Sequence, residues 1–356
     1  MRPKVSIALC TCNGAKYLSL QLESYLVQTC LPDEIVVCDD CSQDETVVIL
    51  NDFARRAPFS VRVLVNDQNI GSTKNFEKSI SLCSGEIIFL SDQDDVWMPN
   101  KIERVSNEFD DSSEVGMVYS DAELVDETLK TLGHSLFSSL FNGRLTFKEM
   151  RLIERGELFS VLLKRNIATG ATMAFRAKYK NAIIPIPNDI PRMIHDGWIA
   201  MIISVVAKGI FLDERLIKYR QHGEQQIGAT NYVQGVFKMA WKDAMERMAK
   251  NHKAEKEYVE LLKHYITSRV NAPDHVLKAL NAEIQYQLGY IRHYQLRKEL
   301  PDDREKRFWP VIRELLSGRY HCFSNGIRSA IRDFVVDHTQ ETVFYEMVDK
   351  RKAVIH

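Results

Sequence analysis

The first 120 residues alternate short runs of branched apolar residues with stretches of helical periodicity. The apolar runs cover residues 5–9, 35–38, 61–65, 87–90 and 116–119. Runs this short and this apolar are typical of strands buried on both faces of a parallel sheet. Between the first two runs, Tyr17, Leu18 and Leu22 recur at helical spacing. The alternation therefore predicts right-handed βαβ units and an α/β fold with a mostly parallel central sheet flanked by helices.

The remainder of the chain has two further patterns. Residues 120–230 are less regular and rich in turn residues, which indicates mixed strands and active-site loops. Beyond them glycine becomes rare and helical periodicity dominates, beginning with Phe237 and Ala240. We therefore predict one domain over residues 1–230 and a mostly helical C-terminal region over residues 231–356.

The formal charge of −1 conceals an asymmetry between these two parts. Residues 233–356 carry 22 Lys and Arg against 17 Asp and Glu, so the front of the chain is net acidic and the tail net basic. Basic residues on amphipathic helices usually form a solvated face. The alternatives are a surface that docks on anionic lipid and a homodimer interface. The tail has no dense basic cluster, which argues against nucleic-acid binding.

Length and composition place the chain among folded globular proteins. It has 356 residues, 45% of them hydrophobic and 27% charged, which excludes a disordered chain. Its longest apolar stretch, residues 198–207, is about half as long as a membrane-spanning helix. Six of the seven cysteines lie in the first quarter, several inside apolar runs, which favours free thiols in a reduced compartment. We predict a cytoplasmic protein, either free or peripheral at the inner face of the plasma membrane.

Two acidic clusters follow predicted strands. Asp39 and Asp40 come after the second strand, and Asp92, Asp94 and Asp95 come after the fourth. Ligands of open parallel sheets bind beyond the carboxyl ends of the strands, so we expect these side chains to share one edge. Gathered carboxylates repel one another unless a cation joins them. The clusters therefore predict a Mg²⁺ or Mn²⁺ ion and a substrate that carries a diphosphate.

The competing interpretation of both clusters is helix capping. Residues 42–45, Ser-Gln-Asp-Glu, already offer a complete capping box, so the first cluster is not needed for that purpose. Pro99 suits the first turn of a helix after the second cluster. Other phosphate sites are not supported. Residues 71–74 lack the order of a P-loop, and residues 11–14 have one glycine where a dinucleotide fingerprint needs three.

Three motifs in this order resemble those of the family-2 glycosyltransferases. They are Thr11-x-Asn13-Gly14-x2-Tyr17-Leu18, Asp39-Asp40-x-Ser42-x-Asp44 and Gly85-Glu-x3-Leu90-x-Asp92-x-Asp94-Asp95-x-Trp97-x-Pro99. The resemblance extends over roughly 220 residues. It implies the GT-A fold, a Rossmann-like α/β arrangement. It also implies transfer of a sugar from a nucleoside diphosphate donor, with inversion at the anomeric carbon.

The resemblance also implies most of the binding residues. Asp40 resembles the family's aspartate that accepts a hydrogen bond from N3–H of the base. Asp94 resembles the aspartate that binds the metal, and His222 is its predicted partner. The predicted nucleotide-sugar contacts are Cys10, Cys12, Asn13, Asp40, Asn69, Gly71, Asn75, Asp92, Gln93 and Arg220.

The general base is expected at Asp196, within the motif Met193-Ile-His195-Asp196-Gly-Trp198. An aspartate here also suits the N-cap of the apolar helix that follows, and the two roles are compatible. The predicted acceptor contacts are Gly170, His195 and Trp198. In this scheme Asp196 takes the proton from an acceptor hydroxyl, and a metal offsets the charge of the departing diphosphate. No covalent sugar-enzyme intermediate is required.

Details of these motifs favour one subfamily. Residues 91–97, 195–196 and 219–223 resemble bacterial rhamnosyltransferases of O-antigen and capsule assembly, which implies dTDP-L-rhamnose and a glycan or lipid-linked acceptor. Galactosyl-, glucosyl- and N-acetylhexosaminyl-transferases share most of the motifs, so a UDP sugar is the alternative donor. Two rival functions stay open. They are glycoside hydrolysis by two carboxylates, without nucleotide or metal, and a non-catalytic nucleotide-sugar-binding scaffold.

Overall fold

The chain divides into two compact units in the computed structural model, which describes residues 2–140, 146–223, 225, 232–337 and 341–349. The first unit comprises Met1–Thr230 and Arg269–Ala272, and the second comprises Asn231–Ser268 and Pro273–His356. None of the described helices combines the length and the apolar character that crossing a membrane requires.

Strands and helices alternate along the first part of the first unit, as predicted. The strands of this unit are β1 (Val5–Thr11), β2 (Glu34–Asp39), β3 (Ser60–Val65), β4 (Ile87–Ser91), β5 (Val96–Trp97), β6 (Val115–Val125), β7 (Thr131–Ser135), β8 (Met173–Arg176) and β9 (Lys208–Arg220). Its helices are α1 (Ala15–Leu26), α2 (Thr46–Arg56), α3 (Ser72–Leu82), α4 (Lys101–Asp110), α5 (Leu136–Leu140), α6 (Phe147–Glu154), α7 (Leu158–Leu162), α8 (Lys180–Ile183) and α9 (His195–Val206).

These nine strands form one sheet among the described residues. The order is β3-β2-β1-β4-β8-β6-β9-β5, with β7 paired to β6. The first four strands are parallel, which places the loops after β1, β2 and β4 side by side. β8 is antiparallel to both β4 and β6, so the sheet is mixed where the sequence becomes less regular. The predicted α/β architecture is therefore confirmed, with more antiparallel pairing than the term mostly parallel suggests.

The sequence predicted β3 as a strand buried on both faces, and this is wrong. Its residues are half-buried or exposed, whereas every residue of β1, β2 and β4 is buried. In the described sheet β3 lies at one end of the strand order and pairs with β2 alone. An apolar run therefore marks a strand but does not reveal whether it is central or at the edge.

Two predicted helix starts also differ from the structure. α2 begins at Thr46 with Glu45 before it, and the expected capping box does not form. Instead Oδ1 of Asp44 accepts hydrogen bonds from the backbone and the hydroxyl of Thr46, at 3.0 and 2.5 Å. α4 begins at Lys101, two residues after Pro99, so this proline precedes the helix rather than occupying its first turn.

The second unit is mostly helical, as predicted. Its elements are β10 (Tyr232–Ala240), α10 (Trp241–Arg269), α11 (Asp274–Lys298), α12 (Arg304–Leu316), α13 (Arg319–Phe323), α14 (Ile327–Val335) and β11 (Glu341–Asp349). The prediction of helix at Phe237 and Ala240 is wrong, because both lie in β10, which pairs antiparallel with β11. That partner strand lies more than 100 residues further along the chain, where local periodicity cannot reveal it.

Candidate active site

A side-chain clamp joins the loops after β1 and β4. Gln93 accepts a hydrogen bond from the backbone N–H of Cys12 at 2.8 Å and donates from Nε2 to the Cys12 carbonyl at 3.0 Å. Gly14 leaves room for this contact, because a Cβ there would lie 2.2 Å from Oε1 of Gln93. Gln93, a predicted nucleotide-sugar contact, therefore also fixes the backbone of the neighbouring loop.

Asp40 follows β2 and is only 3% exposed. Its carboxylate accepts hydrogen bonds from the backbone N–H groups of Ile70 and Gly71, each at 2.9 Å, and from Nδ2 of Asn66 at 2.8 Å. A carboxylate offers about four acceptor positions, and described residues fill two on Oδ1 and one on Oδ2. Oδ2 can therefore accept one more hydrogen bond, which is enough for a single N–H group of a base.

Asp39 serves the loop that contains it. It is fully buried and accepts hydrogen bonds from the hydroxyls of Thr11 at 2.7 Å and Ser42 at 2.6 Å, and from the Ser42 N–H at 2.9 Å. Asp39 lies at the predicted edge, but local donors already stabilise its charge, so it does not need a cation. Asn13 closes the same loop, donating its N–H to Ser42 Oγ and accepting from the N–H of Gln43, both at 2.8 Å.

The three predicted nucleotide contacts between β3 and the middle of α3 lie in different settings. Nδ2 of Asn69 lies 3.6 Å from Sγ of Cys12, within the candidate site. Gly71 directly precedes α3 with a φ of +80°, a conformation that glycine adopts without strain. Asn75 is buried and donates from Nδ2 to the carbonyl of Cys38 at 2.7 Å. Asn75 therefore supports β2 from within and offers little surface to a ligand.

The two cysteines predicted to lie beside the base remain thiols. Burial raises the pKa of Cys10 well above its ordinary value, and the neighbouring Cys38 and Asp92 add to this effect. Burial also raises the pKa of Cys12, with a further contribution from Asp40. Both groups are therefore protonated at neutral pH, and each offers apolar surface and a weak S–H donor.

The carboxylates after β4 lie close enough to influence one another. Burial, together with the charges of Asp94 and Asp196, raises the pKa of Asp92 to about 7. Burial and Asp94 also raise the pKa of Asp95 well above its ordinary range, although its Oδ1 accepts the backbone N–H of Arg220 at 3.1 Å. Negative charge that is gathered and partly desolvated in this way favours a cation at this edge.

The end of β9 brings two more predicted residues to Asp94. Nε2 of His222 lies 2.8 Å from Oδ2 of Asp94, and Nε of Arg220 donates to the Asp94 carbonyl at 2.7 Å. Tyr17 packs against both, with its ring centroid 4.7 Å from that of His222 and 4.5 Å from the guanidinium carbon of Arg220. Nη2 of Arg220 and Nδ1 of His222 are buried without a hydrogen-bond partner among the described residues.

Asp94 and His222 lie side by side as an open pair rather than as part of a closed cage of ligands. No group of three or more His, Cys, Asp or Glu side chains suited to a metal occurs within the described ranges. Mg²⁺ and Mn²⁺ are commonly held by one or two protein groups together with substrate phosphates. One carboxylate and one imidazole 2.8 Å apart therefore fit an ion that binds together with a diphosphate.

Asp196 lies in the first turn of α9, two residues beyond the N-cap Ile194, so it does not cap the helix. Its Oδ2 accepts the backbone N–H of Gly170 at 3.0 Å, and its Oδ1 accepts from the N–H of Gly197 at 2.5 Å and from Nδ2 of Asn166 at 3.3 Å. Burial nevertheless raises the pKa of Asp196 from 3.8 to about 6. The group is therefore ionised at neutral pH and accepts a proton more readily than an exposed aspartate.

The predicted acceptor contacts differ in their surroundings. A Cβ at Gly170 would lie 3.2 Å from Cβ of Asp196 and from Nε2 of His195, so glycine permits this close approach. His195 stacks on Phe76 with ring centroids 3.9 Å apart, and burial lowers its pKa to about 3, which leaves the imidazole neutral. Trp198 is completely buried, and its indole N–H donates to a backbone carbonyl at 2.8 Å. Contrary to the prediction, Trp198 therefore has no surface to offer an acceptor.

Lys101 is a buried lysine that the sequence did not predict. Its Nζ donates to the carbonyl of Ala171 at 2.7 Å and lies 3.8 Å from the ring centroid of Trp97. Burial lowers its pKa to about 7, while the charges of Asp95 and Asp92 act in the opposite direction. Lys101 therefore connects the loop beside the candidate base to the carboxylates after β4.

Three positioning residues had no signal in the sequence. Asn66 orients Asp40, Asn166 orients Asp196, and Lys101 anchors the loop that contains Ala171. Asparagine in a loop is usually a turn residue, and lysine at the start of a helix is usually exposed. Only the tertiary contacts distinguish these three residues from their ordinary counterparts.

Comparisons with known proteins agree with this geometry. Residues 6–180 match the family described as glycosyl transferase family 2. An uncharacterized glycosyltransferase of Nostoc sp. is 28% identical over 224 residues, which are 62% of this chain and 65% of that protein. The match therefore spans slightly less than two thirds of the relative's length.

Two solved structures share the fold at low sequence identity. Staphylococcus aureus TarS 1–349 in complex with UDP-GlcNAc has a TM-score of 0.50 and 16% identity, covering 98% of this chain and 97% of that one. The mannosyltransferase PcManGT of Pyrobaculum calidifontis, in complex with GDP-Man and Mn²⁺, also has a TM-score of 0.50, with 14% identity, covering 95% and 88%.

Proposed function

Because this chain belongs to glycosyl transferase family 2 and has the GT-A fold, we propose that it transfers a sugar from a nucleoside diphosphate donor to an acceptor hydroxyl. One observation carries the proposal. A buried carboxylate with a raised pKa, Asp196, lies close enough to Asp92 to influence its ionisation, and Asp92 in turn interacts with the Asp94 that faces His222. A base and a diphosphate-binding edge therefore adjoin each other. We assign the catalytic role to residues 1–230.

Asp196 is the proposed general base. Hydrogen bonds from Gly170, Gly197 and Asn166 fix its carboxylate, which removes the need to order it during the reaction. With a pKa of about 6, it is ionised at neutral pH yet close enough to that pH to accept a proton efficiently. A hydroxyl deprotonated here attacks the anomeric carbon directly, and a single displacement inverts its configuration.

The leaving diphosphate is proposed to bind beside Asp94, His222 and Arg220. A Mg²⁺ or Mn²⁺ ion held by Asp94 and His222 would supply positive charge to offset that of the leaving group. Arg220 fixes Asp94 through its carbonyl, and the unpaired Nη2 of the same guanidinium is a donor suited to a phosphate oxygen. The related mannosyltransferase structure contains Mn²⁺, which supports the proposal of a divalent ion.

The donor is proposed to be dTDP-L-rhamnose and the pathway cell-surface polysaccharide assembly, with a glycan or lipid-linked acceptor. The motif resemblance at residues 91–97 and 219–223 supports this choice. The structural relatives carry UDP-GlcNAc and GDP-Man, so UDP and GDP sugars are the competing donors that an experiment must include.

A thermal-shift screen of dTDP, UDP and GDP sugars, each with Mn²⁺, Mg²⁺ or EDTA, tests the proposal. A ligand that binds only the folded state raises its stability by about 2.7 kcal/mol at 100 times its Kd. We expect one donor to stabilise the protein in the presence of a divalent ion, and Asp94→Asn to abolish that metal-dependent part. Asp52→Asn, an exposed carboxylate on α2, is the matched control. If no nucleotide sugar stabilises the protein with either ion, the proposal fails.

A further inference from the structure

The second unit presents an apolar face that its own core does not cover. On α12, Trp309 is 74% exposed and Leu316 is 82% exposed. On α14, Ile327 is 55% exposed and Ile331 is 58% exposed. Single exposed apolar residues are common, but soluble proteins rarely gather this many large ones on two adjacent helices without a partner. We call these two helices the α12/α14 face.

A buried polar network centred on Asp333 of α14 joins it to the neighbouring helices, and Arg307 of α12 donates to the Asp333 carbonyl at 3.3 Å. Arg297 forms a bidentate ion pair with Asp333 of α14, at 2.6 and 2.8 Å, and Tyr320 donates to the same carboxylate at 2.5 Å. On the outer side, Phe308 and Phe334 meet edge to face, with ring centroids 6.4 Å apart. α12 and α14 therefore pack against each other, and Trp309 and Ile331 lie within the helices rather than at their ends.

The charges on this surface are predominantly positive. Residues 304–335 contain seven Lys and Arg but three Asp and Glu. Glu314, Asp333 and Arg307 are buried, which leaves Arg304, Lys306, Arg313 and Arg328 exposed against the single exposed acid Glu305. Arg304 and Arg328 are exposed and form no ion pair with any described residue. A surface that combines large apolar side chains with unpaired arginines favours a partner with an anionic outer layer and an apolar interior.

A groove adjoins the face. A cavity of about 770 Å³ lies among α11, α12 and α13, and its lining includes the exposed Trp309 and Leu316. Leu296 and Leu300 form apolar parts of its wall, and Arg313 contributes a cation. Apolar walls beside a cation suit a phospholipid, with an acyl chain in the groove and the headgroup phosphate beside the arginine.

We propose that the α12/α14 face docks on an anionic phospholipid bilayer, with Trp309 inserted at the level of the headgroups. Tryptophan prefers this interfacial region, and each arginine near an anionic surface adds to the attraction. The proposal rests only on the second unit, so it stands or falls independently of the proposed chemistry.

The tryptophans provide a direct readout in the full-length protein. The other three, Trp97, Trp198 and Trp241, are at most 2% exposed, so only Trp309 can change its solvent contact on binding. We expect vesicles of phosphatidylcholine and phosphatidylglycerol to shift the emission to the blue and reduce its quenching by acrylamide. Vesicles of phosphatidylcholine alone should leave the spectrum unchanged. An equal response to both vesicles, or none to either, would overturn the proposal.

Co-sedimentation of variants with the same anionic vesicles locates the binding surface without relying on Trp309 fluorescence. Trp309→Ser with Leu316→Ser should weaken binding to anionic vesicles by about tenfold or more, because both side chains lose apolar burial. Arg313→Gln with Arg328→Gln should weaken it by a similar factor and reduce its salt dependence. Val48→Ser, an exposed apolar residue on α2, is the matched control and should bind as the wild type does.

The competing occupant of the face is a second copy of this chain. Light scattering of the wild type and of the Trp309→Ser, Leu316→Ser variant distinguishes the two. A monomer in both cases, with vesicle binding lost in the variant, supports the bilayer. A wild-type dimer that the variant dissociates would assign the face to self-association and overturn the proposal.

Discussion

Asp196→Asn tests what burial does to the proposed general base. Burial raises the pKa of this carboxyl from 3.8 to about 6, a difference that corresponds to about 3 kcal/mol. Because the folded state holds the proton on Asp196 more tightly than the unfolded state does, the protonated carboxyl stabilises the fold. This stabilisation is complete below about pH 4 and is lost as the pH rises through 6. At neutral pH the wild type therefore carries an ionised group that opposes folding.

Urea unfolding of the wild type and the variant from pH 4 to pH 8 measures this contribution. The asparagine carries no charge, so we expect the variant to gain stability relative to the wild type as the pH rises, approaching about 3 kcal/mol at pH 8. Transfer should fall by about 10²–10⁴-fold because the base is absent. Binding of the donor, measured by calorimetry, should not change.

Two results would refute the reasoning separately. If the free energy of unfolding of the two proteins changes in parallel with pH, the carboxyl at position 196 does not have a raised pKa. If the variant transfers sugar at the wild-type rate, Asp196 is not the base, whatever its pKa. Asp52→Asn again serves as the control, since its exposed carboxylate should affect neither measurement.

Three further outcomes follow from the site. The acid limb of the kcat/KM profile should fall near pH 6, where Asp196 takes up its proton, and a limb near pH 4 would contradict this. Gly14→Ala should lower the free energy of unfolding by about 1–3 kcal/mol and weaken donor binding, because the new methyl group clashes with Gln93. In a Gln93→Ala background the same substitution should cost much less, and a double-mutant cycle that shows no coupling between the two positions would contradict this explanation. Lys101→Met should destabilise the protein by about 1–3 kcal/mol in urea unfolding, because the carbonyl of Ala171 loses its donor, and an unchanged midpoint would count against that role.

Much of the fold was predictable because its signals are local. Buried parallel strands must be apolar on both faces, and the helices between them need one apolar stripe, so the order of β1 to β4 and α1 to α3 is visible in the sequence. The family motifs lie directly after those strands, which is why Asp40 and Asp94 could be assigned to one edge. Whether a strand is central, as β2 is, or at the edge, as β3 is, depends on neighbours that the local pattern does not contain.

The sequence by itself therefore determined the alternation of elements, the helical nature of the tail and the residue types of the site. Only the tertiary structure decided how each side chain is used. Gln93 meets Cys12 across 81 positions and His222 meets Asp94 across 128, while Trp198 is buried although its motif suggested a ligand contact. Burial and hydrogen bonding depend on which distant segments come together, and they set both the pKa of a group and whether a ligand can reach it.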